Sequence, residues 1–108
     1  MEWTVETLRR VVDAERGELP SDMLARFHHI SQLIEEFGLE RVREPHVKHL
    51  REALWEMRLK GKDGISRALY VTAVGKRVVV VRVFIKKTPK TPGREIDLAL
   101  KRAREIVQ

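Results

Sequence analysis

Cysteine is absent from the 108 residues, which excludes a disulfide framework, a thiolate nucleophile and any zinc site built on sulfur. Long apolar runs are missing as well. None exceeds the four residues of Val78 to Val81, far too short to cross a bilayer, and no secretory h-region is visible near Met1. The expectation is a cytoplasmic protein with no membrane partner. Glycine and proline number only six and four, too few for a linker between domains, and no internal repeat or low-complexity segment appears. A chain of this length is expected to form a single domain over 1–108 around one core. Phosphate-binding glycine loops and a G-x-S-x-G elbow are also lacking, and Ser21, Ser31 and Ser66 show no triad arrangement. His28 and His29 are neighbours on a predicted helix, about 100° apart, and cannot chelate one ion together. His46-x-x-His49 has no Asp or Cys in a recognised ligand spacing, so neither metal nor cofactor is expected.

Charge, in contrast, is abundant and polarised. Lys and Arg total 22 against 16 Asp and Glu, a formal net of +6. Residues 1–53 hold 8 basic and 11 acidic side chains, a net of −3, whereas residues 54–108 hold 14 and 5, a net of +9. This imbalance points the second half toward a polyanion, most often nucleic acid. An acidic protein and a generically solvated basic surface stay open as alternatives.

Periodicity divides the chain at the same place. Trp3, Val5 and Leu8 suit a short strand, while Leu8, Val11, Val12 and Glu15 also fit a helical face, so the opening segment is undecided. Small polar caps in Leu19-Pro20-Ser21-Asp22 start a helix. Met23, Leu24, Phe27, Ile30, Ile34 and Phe37 form its apolar stripe, and Gly38 ends it in the left-handed region. Beyond it the period becomes two. Leu54–Leu59, Ile65–Val74 and Val78–Ile85 read as strands, joined by Gly61-Lys62-Asp63-Gly64 and by a Gly75-Lys76 turn of type II′. The third strand, β-branched almost throughout, is expected to be covered on both faces. Thr91 as cap and Pro92 as first residue begin a last helix with Ile96, Ala99, Leu100, Ala103, Ile106 and Val107 on its apolar face. The expected class is α+β: N-terminal helices packed on a curved, mostly antiparallel sheet of about four strands, with a closing C-terminal helix.

Strand alternation places the candidate residues. Arg58 shares a face with Leu54 and Glu56, Arg67 with Leu69 and Val71, and Arg82 with Phe84 and Lys86. Lys87 and Lys90 follow in a segment stiffened by Pro89 and Pro92. Such a surface neutralises phosphates, with Arg bidentate and Lys as point charges. Phe84, Tyr70 and Trp55 are nearby rings for an unstacked base, although Trp55 and Phe84 lie in apolar runs and are expected in the core. A half-buried Arg67 needs an anion, either Glu56 or a ligand.

Leu54-Trp55-Glu56-Met57-Arg58-Leu59-Lys60, Gly61-Lys62-Asp63-Gly64-Ile65-Ser66-Arg67, Val83-Phe84-Ile85-Lys86-Lys87-Thr88 and Thr91-Pro92 with Arg94-Glu95-Ile96 together resemble the phage-derived HigB-like toxins of the RelE/ParE superfamily. The likeness covers roughly residues 20–105. It implies a RelE-like toxin of a type II toxin–antitoxin system, inhibited by a cognate antitoxin, often of helix-turn-helix type. It further implies metal-independent, ribosome-dependent cleavage of mRNA, in which the RNA's own 2′-hydroxyl attacks the adjacent phosphate. Matching positions are Arg58, Arg67, Phe84, Lys86, Lys87 and Thr88. Arg82 stands where relatives often have histidine, Ser66 where many have tyrosine, and Pro89 where glutamine is common. On this resemblance Arg67 and Lys86 are the candidate catalytic residues, and Arg58, Arg82, Lys87, Lys90 and Phe84 the candidate RNA-binding ones. The alternative is a non-catalytic relative that acts by binding, as a topoisomerase inhibitor or a repressor partner.

Overall fold

A computed structural model describes residues 2–86 and 88–106. The elements run β1 (Thr4–Thr7), α1 (Arg10–Gly17), α2 (Ser21–Phe37), a 3-10 turn (Leu39–Arg41), β2 (Val47–Arg51), β3 (Leu54–Gly61), β4 (Gly64–Ala73), β5 (Arg77–Lys86) and α3 (Gly93–Ala103). The class is α+β, and the three long strands fall where the period of two puts them. Among the described residues the sheet has five strands in the order β1-β5-β4-β3-β2, one more than expected. Both readings of the opening segment hold in part: Thr4–Thr7 is a strand, parallel to β5, and a helix follows at Arg10. β5 is flanked by β1 and β4, and Val78 to Val81 are buried on both faces, as its β-branched run requires.

One face of the sheet packs on α1 and α2 through Val12, Met23, Phe27, Ile30, Ile34, Met57, Ala68, Tyr70, Val80 and Val83. The other packs on α3 through Leu54, Leu69, Val71, Val79, Val81, Ile96 and Ala99. The start of α2 is fixed to the β3–β4 hairpin. Asp22 accepts the Lys62 amide at 2.8 Å, and the Ser66 hydroxyl meets the Met23 sulfur at 2.7 Å. A Cβ at Gly61 would come within 2.6 Å of the Asp22 carboxylate, so glycine is what lets the hairpin approach. These contacts correct the expected caps. Pro20, not Ser21, is the N-cap of α2, and Pro92 that of α3, with no side-chain cap bond at either. Gly38 has φ 90° and ψ 149°, outside the left-handed helical well but equally closed to other residues. In the β4–β5 turn both Gly75 and Lys76 have positive φ, which excludes the type II′ geometry expected there. α3 ends at Ala103, so Ile106 lies beyond it and Val107 falls outside the described residues.

The register of β4 on β5 contains the decisive irregularity. Leu69 opposes Arg82, whereas Tyr70 opposes Val80, so Val81 is an extra residue. Opposed residues share a face. The bulge therefore turns Arg82, Phe84 and Lys86 to the α3 side, where strict alternation from Val80 would have directed them at α1 and α2. Backbone groups around the bulge are taken up by charged side chains. Arg102 of α3 donates to the Val81 carbonyl at 2.9 Å, and the Val83 amide donates to Glu15 of α1 at 3.1 Å. Arg102 also reaches Glu15, and Arg82 pairs with both Glu15 and Glu95 at 2.7 Å, joining α1, β5 and α3 in one network. Arg102→Met is expected to cost about 3 kcal/mol, as for breaking a largely buried ion pair. Urea denaturation measures the loss. Amide exchange should accelerate at Val81 to Val83 before it does in β3, and uniform acceleration would mean that the network has no specific hold on the bulge.

Candidate functional site

The bulge and the ordinary alternation of β3 and β4 bring Glu56, Arg58, Arg67, Phe84 and Lys86 to the α3 side of the sheet. Arg58 opposes Arg67, and Arg67 opposes Phe84. Glu56 is completely buried and Arg67 only 4% exposed, and the two form an ion pair. Thr91 donates its hydroxyl to the second Glu56 oxygen at 2.6 Å. This is why Thr91 does not cap α3: its side chain serves the carboxylate instead. Lys86 Nζ donates to the Pro89 carbonyl at 2.6 Å, and a guanidinium nitrogen of Arg67 lies 3.5 Å from the same oxygen. The Arg67 Nε is buried without a partner among the described residues.

One buried carboxylate thus faces several cations. Burial pushes the Lys86 ammonium down from 10.5 to about 8, reinforced by the positive charges of Arg67 and Arg58 and opposed by Glu56. Burial also lowers Arg67, with Glu56 opposing that shift and Arg58 adding to it, but a guanidinium stays charged throughout the accessible range. Lys86 is therefore the group in this cluster that exchanges a proton near neutrality. Arg58 has no carboxylate partner among the described residues, so it is available to an incoming anion.

The other sequence candidates are placed differently. Arg82 shares the face, but its guanidinium is held by Glu15 and Glu95 and stacks 5.6 Å from the Phe84 ring. Phe84 is half-buried against the α3-side core, with that guanidinium over its ring. Lys90 is exposed in the loop before α3. Lys87 lies outside the described residues. Trp55 and Tyr70 oppose each other on the opposite side of the sheet, away from the cluster. Trp55 is not a core residue: it is 38% exposed and tilts against His49 at 5.1 Å. Tyr70 is buried, and burial raises its phenol. Sequence reading named Glu56 as one possible anion for Arg67, but Thr91, Glu15, Glu95 and Arg102 were missed as partners. No spacing rule links residues so far apart in the chain.

Among the described residues no group of three or more His, Asp or Glu side chains could hold a metal ion. Among those residues no helix is long and apolar enough to cross a membrane. The fold is similar to that of a chain in the archaeal RelE–RelB complex from Pyrococcus horikoshii OT3, with a TM-score of 0.56 over 79% of this chain and 96% of that one, at 20% identity. The fold is therefore RelE-like. Residues 15–104 match the family described as "Phage derived protein Gp49-like (DUF891)", and the chain belongs to that phage-derived Gp49-like family. No curated protein matches it in sequence.

The depressed Lys86 value has a sign that can be measured. The unfolded chain, at 10.5, holds the proton more tightly than the fold does at about 8. Below pH 8 the folded state carries the whole penalty of burying the ammonium, and stability is expected to rise as pH goes from 8 toward 10. Above that, the raised Tyr70 phenol acts in the opposite sense. Denaturation midpoints measured at pH 7, 8, 9 and 10 should show the rise, and Lys86→Met should flatten it.

Proposed function

We propose that this chain is the toxin of a type II toxin–antitoxin pair, of the HigB-like kind, and cleaves mRNA on the ribosome without a metal. The observation that carries the proposal is the convergence of Lys86, Arg67 and Arg58 from three strands around one buried carboxylate. Membership of a phage-derived family with a RelE-like fold supports it. In the reaction the RNA 2′-oxygen bonds to the adjacent phosphorus as its proton leaves. The bond from phosphorus to the 5′-oxygen then breaks, and that oxygen departs with a proton. The products are a 2′,3′-cyclic phosphate and a 5′-hydroxyl. Lys86, at about 8, is a suitable proton carrier. Arg58 and the Arg67 edge supply positive charge where the phosphorane becomes more negative. Glu56 holds Arg67 in place and keeps the cluster from excess charge.

The solved neighbour is a RelE–RelB complex, which supports a cognate antitoxin here as the partner, and the +9 half gives an acidic antitoxin segment a complementary field. A second reading, a non-catalytic toxin relative that acts by binding, draws on one observation. Arg67 is enclosed by Glu56 and the Pro89 carbonyl rather than open to a substrate.

Purified protein added to programmed ribosomes should cut the message, with primer extension locating the cuts and product analysis finding the cyclic phosphate. If Lys86 takes the 2′-proton, the rate should climb with pH to an inflection near 8. Lys86→Met should remove that inflection and lower the rate about 100-fold. It is a cleaner variant than Arg67→Ala, which strands buried Glu56 and would cost about 3–5 kcal/mol of stability. Intact message with arrested growth would favour the binding reading.

A further inference from the structure

β2 begins at Val47, opposite Met57, so Arg58 to Gly61 of β3 have no strand beyond them. The corner left open is a cavity of about 280 Å³ lined by Arg26 of α2, Pro45, His46, Arg58, Lys60 and Ile65. Three of these are basic side chains, and none is a carboxylate. Among the described residues neither Arg26, Arg58 nor Lys60 has an ion-pair partner. The backbone adds a directional donor. The Arg58 amide points outward and binds the His46 carbonyl at 2.8 Å. By strand alternation the Lys60 amide, two residues on, faces the same open side, where no strand receives it. Three features coincide: concavity, uncompensated positive charge and an outward N–H. Together they favour an oxyanion over a neutral or aromatic ligand, and on single-stranded RNA that oxyanion is a backbone phosphate.

The corner is continuous with the cluster described above. Arg58 lines it and also exerts its charge on Lys86 and Arg67. Lys60 opposes Ile65, which opposes Lys86, so a single row across three strands joins the corner to the proton-carrying amine. The span of two strand spacings is about 10 Å. We propose that this corner is a second phosphate site, one that grips the backbone of the same single-stranded RNA beside the bond to be cut. Arg26, Lys60 and the Lys60 amide provide the grip, and Arg58 is shared between the two positions. The proposal rests on the nuclease reading but is separable from it.

The test is equilibrium binding of a labelled, fully 2′-O-methylated hexaribonucleotide, which cannot be cleaved, to the whole chain over a range of salt. Arg26→Ala and Lys60→Ala are each expected to weaken binding about tenfold. Each should also lower the slope of log affinity against log salt by about 0.7, the value for one phosphate on a single strand. The double variant should lose little more slope than either single one, because both side chains serve one phosphate. Lys101→Ala, on the exposed side of α3, is the control for bulk charge. If the wild type binds and the double variant binds with the same slope, the corner is not a phosphate site and the nuclease reading stands untouched. A loss equal to that of Lys101→Ala overturns the proposal as well. Inorganic phosphate at constant ionic strength should compete poorly, and full displacement at low millimolar phosphate would mark a free-anion site instead. Failure of the wild type to bind the oligonucleotide at all overturns the RNA reading together with the proposal.

Discussion

That Lys86 meets Arg67 and Glu56 on one face depends on one supernumerary residue in β5. A strand assigns side chains to faces by parity alone, and parity counted from Val78 and Val80 would send Arg82, Phe84 and Lys86 into the apolar layer under α1 and α2. The Val81 bulge reverses the count midway, so the same strand fills one core with Val78 and Val80 and then delivers a lysine to the other face. Irregularity of this kind leaves backbone groups without ladder partners, and an unpartnered buried amide or carbonyl costs about 1–3 kcal/mol. Here Arg102 and Glu15 receive them. Because those two come from α3 and α1, the helices on both faces of the sheet hold the register, and Arg82 ties them together.

The buried pair of Glu56 and Arg67 answers a different problem. Three cations on adjacent strands repel one another, and removing them from water adds a penalty that grows with burial. A carboxylate at Glu56 offsets the charge of Arg67 while Thr91 occupies its remaining oxygen, leaving Lys86 without a carboxylate of its own. The lysine carries the residual strain as a weakened hold on its proton. Stability and proton transfer are thus set against each other at one residue: what makes the ammonium costly to bury is what makes it able to release a proton near neutral pH.

Much of the architecture was legible from period and punctuation. β3, β4 and β5 lie within a residue or two of the predicted strands, α2 follows its apolar stripe, and the basic residues of each strand share the face that alternation gives them. What could not be read depended on contacts between distant segments. Ser21 and Thr91 are good capping residues by type, yet their helices start at prolines, and the Thr91 hydroxyl is taken by a carboxylate 35 positions earlier. The first strand was ambiguous because four residues carry too little periodicity to separate strand from helix, and its parallel pairing with β5 is a tertiary choice. Trp55 sits in an apolar run, which suggests core, but its ring is 38% exposed beside His49 although its cross-strand neighbour Tyr70 is buried. Lys86 was assigned correctly to a face shared with Arg82 and Phe84. That this face is also the face of Arg67 follows from the bulge, for which the four consecutive valines give no local signal.

The charge asymmetry of the sequence also changes meaning once partners are known. A count of +9 over the second half suggests a uniformly attractive surface, but Arg82 and Arg102 are consumed by Glu15 and Glu95, and Arg67 by Glu56. Two of those carboxylates come from the second half and one from the first, so the internal network spends charge across the boundary that composition drew. Other cations stay solvated on the surface, Lys90 and Lys101 among them, whereas Lys86, Arg58, Arg26 and Lys60 adjoin one another at the cluster and the sheet corner. Localised charge next to a low-dielectric wall holds a phosphate more firmly than the same charge spread in solvent. On the proposed reading, the internal pairing of Arg67, Arg82 and Arg102 therefore does not weaken phosphate binding. The pairs take charge from the network and leave it where strand ends, bulge and corner bring cations together.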